Sequence, residues 1–248
     1  MEVHLTDEEV RQIILRRRKR EKLRRRRRRR IILLLVLVCV LAGGIFSALS
    51  GGGIIAAFRN KGPIFIDAGH GGDDPGAEAL GRKEKDDTLK LALQVKKCLQ
   101  RQGYKVVMSR TDDESVGRQE RAEMANEAGA KLMVSIHRNQ ANGDGQGVEA
   151  WIHSGGNESA ALLAENILRN LEEQGFTYRK VGTGTLADAS DNYSENQYSE
   201  MPSCIVEVGF LSSAGDNDLF DQKLRKNAKA IASGIDFTYQ SLYESEEK

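Results

Sequence analysis

Strand-like and helix-like patterns alternate regularly from residue 63 to the end of the chain. Short apolar runs typical of buried strands are followed by stretches with apolar residues at helical spacing; one of these, residues 87–102, includes Val95 and Leu99. Parallel strands need long crossover connections, which helices usually supply. The alternation therefore predicts an α/β domain with a largely parallel central sheet and helices on both faces.

The pattern also locates the individual elements. It predicts strands at residues 64–67, 104–109, 132–136, 148–152 and 204–208, and helices at residues 87–102, 118–128, 159–173 and 219–239. Residues 183–201 are polar and lack periodicity, so we expect a loop there. Ligands in open α/β folds bind beyond the carboxyl ends of the strands, and this loop is a candidate substrate-contacting segment.

A second feature precedes the domain. Residues 31–58 contain no charged residue and directly follow the run Arg24–Arg30. Such a stretch is long enough to cross about 30 Å of hydrocarbon as a helix. The positive-inside rule then predicts a basic cytoplasmic tail (1–30), a single-pass transmembrane anchor (31–58), a linker (59–62) and an extracytoplasmic domain (63–245) of a cell-membrane protein. Cleavage as a signal peptide is the alternative, because small residues lie within the apolar run.

The charge distribution bears on possible partners. The net charge is only +1, but residues 1–30 contain 14 Lys or Arg and five acidic residues. Because the basic charge is confined to one block beside an apolar run, it predicts contact with anionic lipid and no binding of nucleic acid. The three cysteines, Cys39, Cys98 and Cys204, form no CxxC pair, so we expect neither a disulfide framework nor a thiolate metal site.

Four side chains near predicted strand ends suggest chemistry. His70 and His137 each follow a predicted strand, Glu207 lies late in another, and Glu84 lies where the first helix begins. The carboxyl ends of parallel strands meet at one edge of a sheet, so we expect these side chains to converge. His70, Glu84 and His137 would form a two-histidine, one-carboxylate site that holds Zn²⁺ and leaves its fourth position open.

Glu207 fits the role of general base in such a site. A zinc ion polarises a scissile carbonyl and lowers the pKa of water, while a nearby unliganded carboxylate carries the proton to the leaving nitrogen. Each residue alone has an ordinary alternative, a hydrogen-bonded loop histidine or a solvated glutamate at a helix start. Glu207 is the least ordinary, because a carboxylate in a buried strand costs several kcal/mol without a partner or a function.

Five ordered blocks resemble the zinc-dependent N-acetylmuramoyl-L-alanine amidases of bacterial cell-wall turnover. The resemblance extends from about Pro63 to Tyr239 and rests on these segments: IFIDAGHGGDDPGA, KEKDDTLKLAL, VVMSRTDDESVGRQERAEMAN, LMVSIHRN followed by GVEAW, and PSCIVEVGFLSS. It implies that His70, Glu84 and His137 bind zinc and that Glu207 is catalytic. The implied reaction releases stem peptide from the glycan of peptidoglycan, in cell-wall remodelling, cell separation or the spore cortex.

The chain departs from the family pattern at three positions, Ala68, Arg138 and Ser213, none of which removes a ligand. Arg138 follows the second histidine, and we expect it to point to solvent rather than to steer acidic stem peptides. Asp67 is expected either to orient a metal ligand or to cap the following loop.

The sequence also allows alternative ligands and alternative functions. Asp73, Asp74 or Glu78 is an alternative to Glu84 as a ligand. A different zinc peptidase or deacetylase, or a catalytically silent wall-binding scaffold, is an alternative function. A protein activator is also open, since the sequence identifies none.

Overall fold

A computed structural model of the chain describes residues 61–141 and 143–244. The strands in these ranges are β1 (Lys61–Ala68), β2 (Glu78–Ala79), β3 (Arg82–Lys83), β4 (Tyr104–Met108), β5 (Leu132–Asn139), β6 (Val148–Ile152), β7 (Tyr178–Thr183) and β8 (Ser203–Phe210). The helices are α1 (Glu84–Arg101), α2 (Arg118–Glu127), α3 (Glu158–Glu172), α4 (Ser194–Gln197), α5 (Ala214–Gln222) and α6 (Leu224–Tyr243).

Six strands form one sheet in the order β4-β1-β5-β8-β6-β7. Every neighbouring pair is parallel except β6 and β8, which are antiparallel. The predicted largely parallel sheet is therefore confirmed. Strands β1, β5 and β8 lie side by side, so their carboxyl ends share one edge. The short hairpin β2–β3 leads directly into α1 beside that edge.

Alternate residues of the strands pack on opposite faces of the sheet. Ile64 and Ile66 of β1 join the larger apolar core, which α1, α3 and α6 cover. Phe65 and Met133 point to the other face, where they pack with Ala125 of α2. Helices thus cover both faces, and the buried strands explain the nearly continuous apolar runs of the sequence.

The predicted element list differs from the structure in several places, including the hairpin β2–β3 and strand β7, which it did not contain. The single helix predicted at 219–239 is two helices, α5 and α6, separated by Lys223 with φ −116° and ψ 18°. The side chain of Ser213 caps α5 by accepting from the backbone N–H of Asp216, which moves the helix start upstream. The segment 183–201 contains the end of β7 and the short helix α4, neither of which was predicted.

The predicted single-pass membrane localisation needs correction. Within residues 61–141 and 143–244, no helix is both long enough and apolar enough to cross a bilayer. The longest, α6, has 20 residues but includes Arg225, Lys226, Lys229 and Asp236, and its apolar side packs in the core. Residues 31–58, on which the prediction of an anchor and an extracytoplasmic domain rested, lie outside the described residues.

Candidate metal centre

Three elements bring His70, Glu84 and His137 together at the edge of the sheet. His70 lies two residues beyond β1, Glu84 is the first residue of α1, and His137 lies near the end of β5. Oε2 of Glu84 is 3.1 Å from Nε2 of His70, and Oε1 is 2.9 Å from Nδ1 of His137. One potential ligand atom from each residue lies within 4.8 Å of the other two. The convergence expected from the strand ends is therefore observed.

A tight turn after β1 aims His70 into the site. His70 has a left-handed backbone with φ 59°, and the guanidinium of Arg121 donates to its carbonyl oxygen at 2.9 Å. Nδ1 of His70 lies 2.8 Å from Oδ2 of Asp74. A carboxylate only accepts hydrogen bonds, so a neutral His70 that donates from Nδ1 to Asp74 keeps its lone pair on Nε2, the nitrogen that faces Glu84. Asp74, named above only as an alternative ligand, therefore orients His70.

Two glycines, Gly69 and Gly76, lie so close to the candidate ligands that a side chain at either position would clash with them. A Cβ atom at Gly69 would lie 2.4 Å from Cε1 of His137, and one at Gly76 would lie 2.7 Å from Oε2 of Glu84. Gly76 also has φ +67°, a conformation that favours glycine. Neither position accepts a side chain without displacing a candidate ligand.

Glu84 is buried and well supplied with hydrogen bonds. The backbone N–H of Ala77 donates to Oε2 at 2.9 Å, and that of Arg138 donates to Oε1 at 3.0 Å. Burial would raise the pKa of Glu84, but the hydrogen bonds and positive charge of His137 and His70 outweigh it and hold the pKa well below its usual range. The position at the start of α1 also favours a negative charge.

His137 presents a buried nitrogen without a partner. Nδ1 faces Glu84, whereas Nε2 is inaccessible to solvent and makes no hydrogen bond among the described residues. Burial lowers the pKa of His137, but the hydrogen bond to Glu84 and the charges of Glu84 and Glu207 raise it to about 9. Buried polar atoms normally have partners, so an orphaned nitrogen here marks a place where something else binds.

Glu207 lines the same cleft from β8, where it is paired in register with His137 on β5 and Glu149 on β6. Its Oε2 is buried and has no hydrogen-bond partner among the described residues. Burial raises the pKa of Glu207 to about 8; His137 opposes this shift, and the charges of Glu84 and Glu149 add to it. Glu207 is thus a desolvated carboxyl group held ready to exchange a proton.

The donor set fits a zinc ion. Two imidazoles and one carboxylate are ligands that Zn²⁺ prefers at a catalytic site, with one position left for water or substrate. The rings of His70 and His137 meet edge to face with centroids 4.9 Å apart, and both are only slightly exposed. Nε2 of His70 and Nδ1 of His137 both face the carboxylate of Glu84, so these are the ring nitrogens placed to hold the ion with it.

A cleft of about 210 Å³ opens over the centre. Its walls include polar side chains that were not predicted as site residues: Arg118, Asn139, Gln140, Tyr193 and Glu195. Tyr193 and Glu195 come from the polar segment 183–201, so the prediction that this segment lies at the site is consistent with the structure. The cleft is partly open to solvent.

The structure corrects the expectation for Arg138. Its side chain is buried, not solvent-exposed: it donates to Asp87 at 2.6 Å and to Oδ1 of Asn217 at 2.6 Å, and it packs on the ring of Phe220. Arg138 therefore ties β5 to α1 and α5 through its buried guanidinium, although the residue also lines part of the cleft.

Asp67 is also engaged elsewhere. Its Oδ1 accepts from Arg121 at 2.6 Å and its Oδ2 accepts from Ser135 at 2.5 Å, both inside the fold. Arg121 also donates to the carbonyl of His70, so Asp67 acts on the loop after β1 through this arginine and not by a direct bond to a candidate ligand.

The N-acetylmuramoyl-L-alanine amidase family matches residues 64–236, a stretch that contains all four predicted site residues. The chain belongs to this family. The amidase domain is 34% identical over 179 residues to the protein YqiI of Bacillus subtilis (strain 168), which covers 71% of this chain and 84% of the relative. It is also 34% identical to the N-acetylmuramoyl-L-alanine amidase CwlM of Bacillus licheniformis, over 69% of this chain and 64% of that protein.

A solved structure has the same fold. The N-acetylmuramoyl-L-alanine amidase AmiC2 of Nostoc punctiforme superimposes with a TM-score of 0.65 at 31% sequence identity, covering 73% of this chain and 98% of that chain. The mixed α/β architecture described above is thus that of an amidase catalytic domain.

Proposed function

We propose that this amidase domain hydrolyses the amide bond between the lactyl group of N-acetylmuramic acid and L-alanine in peptidoglycan, with a zinc ion held by His70, Glu84 and His137. The observation that carries the proposal is the convergence of these three residues opposite Glu207, a buried carboxyl group with no partner among the described residues. Family membership supports the reaction, and the donor set supports the metal.

Zinc, when bound, supplies a Lewis acid that polarises the scissile carbonyl and lowers the pKa of water. His70 and His137 contribute neutral lone pairs, and Glu84 contributes negative charge. The backbone N–H groups of Ala77 and Arg138 hold the carboxylate of Glu84 in place. Asp74 holds the ring of His70 in place. Such preorganisation is what a catalytic metal site needs.

Glu207 performs the proton transfers. In the carboxylate form it accepts a proton from the attacking water, and in the acid form it donates that proton to the nitrogen of L-alanine as the amide bond breaks. Because the pKa of Glu207 is raised to about 8, its acid form is stable enough to carry the proton. The positive charge of a bound zinc ion would favour the carboxylate form before the reaction. Glu207 thus has the environment of a group that cycles between both forms.

The cleft walls suit a polar substrate. Arg118, Asn139 and Gln140 offer hydrogen-bond donors around the centre, and the rim of the cleft is open. Glycan hydroxyls, peptide carbonyls and stem-peptide carboxylates are acceptors for such groups. These features agree with a substrate that is one repeat of a polymer, as in cell-wall remodelling, cell separation or cortex breakdown.

Two other functions predict different behaviour. Another zinc amidohydrolase or peptidase would share the centre but prefer a different amide. A silent scaffold would have no reason to keep a desolvated carboxyl group opposite three metal-ligand side chains, because burying it costs free energy.

The test combines zinc content with activity on purified peptidoglycan. The purified chain should contain one zinc per molecule, and it should release stem peptides that carry a new L-alanine amino terminus. A chelator should stop the release, and added zinc should restore it. Zinc without release of L-alanine termini would favour another amidohydrolase, and absence of both would favour the scaffold.

A further inference from the structure

The two histidines of the centre are held differently in the structure. Nδ1 of His70 has a carboxylate partner, Asp74, at 2.8 Å. His137 has Glu84 beside Nδ1, but its Nε2 is buried and has no partner among the described residues. Metal-ligating histidines almost always donate their second ring N–H to a carboxylate, carbonyl or water, which fixes the tautomer and the ring orientation.

His137 also belongs to a second cluster of possible ligand side chains. A ring nitrogen of His137, a carboxylate oxygen of Asp67 and one of Glu195 all lie within 4.8 Å of one another. Both oxygens of Asp67 already accept hydrogen bonds, from Arg121 and Ser135. The carboxylate of Glu195 makes no hydrogen bond or ion pair among the described residues, although Glu195 is only 5% exposed and lines the cleft.

The neighbours of Glu195 hold it firmly in this position. It lies on α4, whose next residue, Asn196, donates to the carbonyl of Trp151 on β6 at 3.0 Å. Asn196 also accepts from Ser203 on β8 at 2.9 Å. The helix is thus anchored to two strands of the sheet that carries the centre, and a free carboxylate is kept beside His137.

We propose that Glu195 is a positioning residue for His137, with its carboxylate accepting the hydrogen bond from Nε2–H. The proposal rests on the proposed zinc function. Nδ1 of His137 faces Glu84 and would hold the ion together with it, so the neutral ring would carry its proton on Nε2. Glu195 then does for His137 what Asp74 does for His70.

The role is distinct from that of Glu207. Glu207 must stay free to move a proton during the reaction, whereas the partner of His137 must stay fixed through the whole cycle. Glu195 is the carboxylate that lies within 4.8 Å of His137 and Asp67 together, and it has no assigned part in proton transfer. Glu195 thus positions the ring of His137, and Glu207 transfers the proton.

The test measures zinc affinity by competition with a chelator in the full chain and three variants. Glu195→Leu removes the acceptor, and Glu195→Gln keeps an acceptor without charge. Glu200→Gln is the matched control, since Glu200 is an exposed residue five positions away. We expect a loss of about 10- to 100-fold in zinc affinity for Glu195→Leu, a smaller loss for Glu195→Gln and no change for Glu200→Gln.

A second readout separates positioning from a general loss of structure. In the zinc-loaded protein, ¹⁵N NMR of the His137 ring should show a protonated, hydrogen-bonded Nε2, and that proton signal should shift in both Glu195 variants. If Glu195→Leu does not fold, Glu195→Gln decides the matter by the same signal. Wild-type affinity and an unchanged His137 spectrum in Glu195→Gln and in any folded Glu195→Leu would overturn the inference alone. A wild-type chain that binds no zinc would overturn the inference and the proposed function together.

Discussion

Glu84 and Glu207 face the same cleft from two different parts of the fold, and their surroundings push their pKa values in opposite directions. Glu84 begins a helix, accepts two backbone N–H groups and touches both histidines, so its pKa lies far below the ordinary value. Glu207 lies inside a strand with one oxygen unpartnered, and its pKa rises to about 8. Two glutamates in one cleft therefore suit different roles because their surroundings differ. Glu84 stays an anion, which suits a metal ligand, whereas Glu207 can change its protonation state, which suits proton transfer.

The largest effect that can break this comparison concerns Glu207. Glu207→Gln should lower kcat for amide hydrolysis by roughly 10²- to 10⁴-fold, the usual contribution of a general acid–base group. Zinc content should stay at the wild-type level, because Glu207 is not among the proposed ligands. The measurement is steady-state release of L-alanine amino termini together with metal analysis. Loss of zinc from this variant would make Glu207 a ligand and contradict the division.

Glu84 should show the converse behaviour. Glu84→Gln removes the anionic ligand, and we expect zinc affinity to fall by more than about 100-fold, since changes to groups behind the ligands alone cost about 10- to 100-fold. Chelator competition measures the affinity, and circular dichroism checks the fold. Full zinc binding by this variant would show that Asp73, Asp74 or Glu78 is the carboxylate ligand.

The metal-free protein offers a stability test of Glu207. The folded-state pKa, about 8, lies above the ordinary value of 4.5, so the protonated form suits the fold. The contribution of Glu207 to the free energy of unfolding should therefore be fully present below pH 4.5 and be lost as the pH rises through 8. Glu207→Gln should escape this decline and be more stable at pH 8 by about 1–3 kcal/mol. Denaturant unfolding at pH 5 and pH 8 measures it; equal pH dependence in the two proteins would refute the raised pKa.

The smallest expected effect concerns the space beside Glu84. Gly76→Ala introduces a Cβ that would lie 2.7 Å from Oε2 of Glu84, and it also strains a backbone with φ +67°. Gly81→Ala is the matched control, because Gly81 has φ +74° but nothing within 4 Å of the added Cβ. Both should lose about 1–2 kcal/mol of stability through backbone strain, and only Gly76→Ala should also bind zinc more weakly. Equal zinc binding by the two variants would mean that Glu84 is not confined by Gly76.

Much of the fold and of the site followed from local sequence patterns. His70, His137 and Glu207 were predicted to meet because parallel strands end at one edge of a sheet, and the structure brings them together. Arg138 was misjudged because its partners, Asp87 and Asn217, are 51 and 79 residues away in the chain. A sequence pattern shows that an arginine follows a strand, but burial of its charge depends on groups supplied by distant elements.

Glu195 shows a similar limit. It lies in a polar segment without periodicity, so nothing local distinguished it from the other polar residues of that segment, and α4 is too short for a helical pattern to show. Its placement depends on the anchoring of Asn196 to β6 and β8. The position of the Glu195 carboxylate near His137 therefore follows from contacts between distant parts of the chain, which the local sequence does not show.

The most direct test of the central claim is anomalous X-ray diffraction at the zinc edge from crystals of the zinc-loaded protein. The account predicts one strong peak in contact with His70, Glu84 and His137, with the carboxylate of Glu207 nearby but not coordinating. A peak coordinated by Glu207, or one held by Asp67, His137 and Glu195, would contradict it.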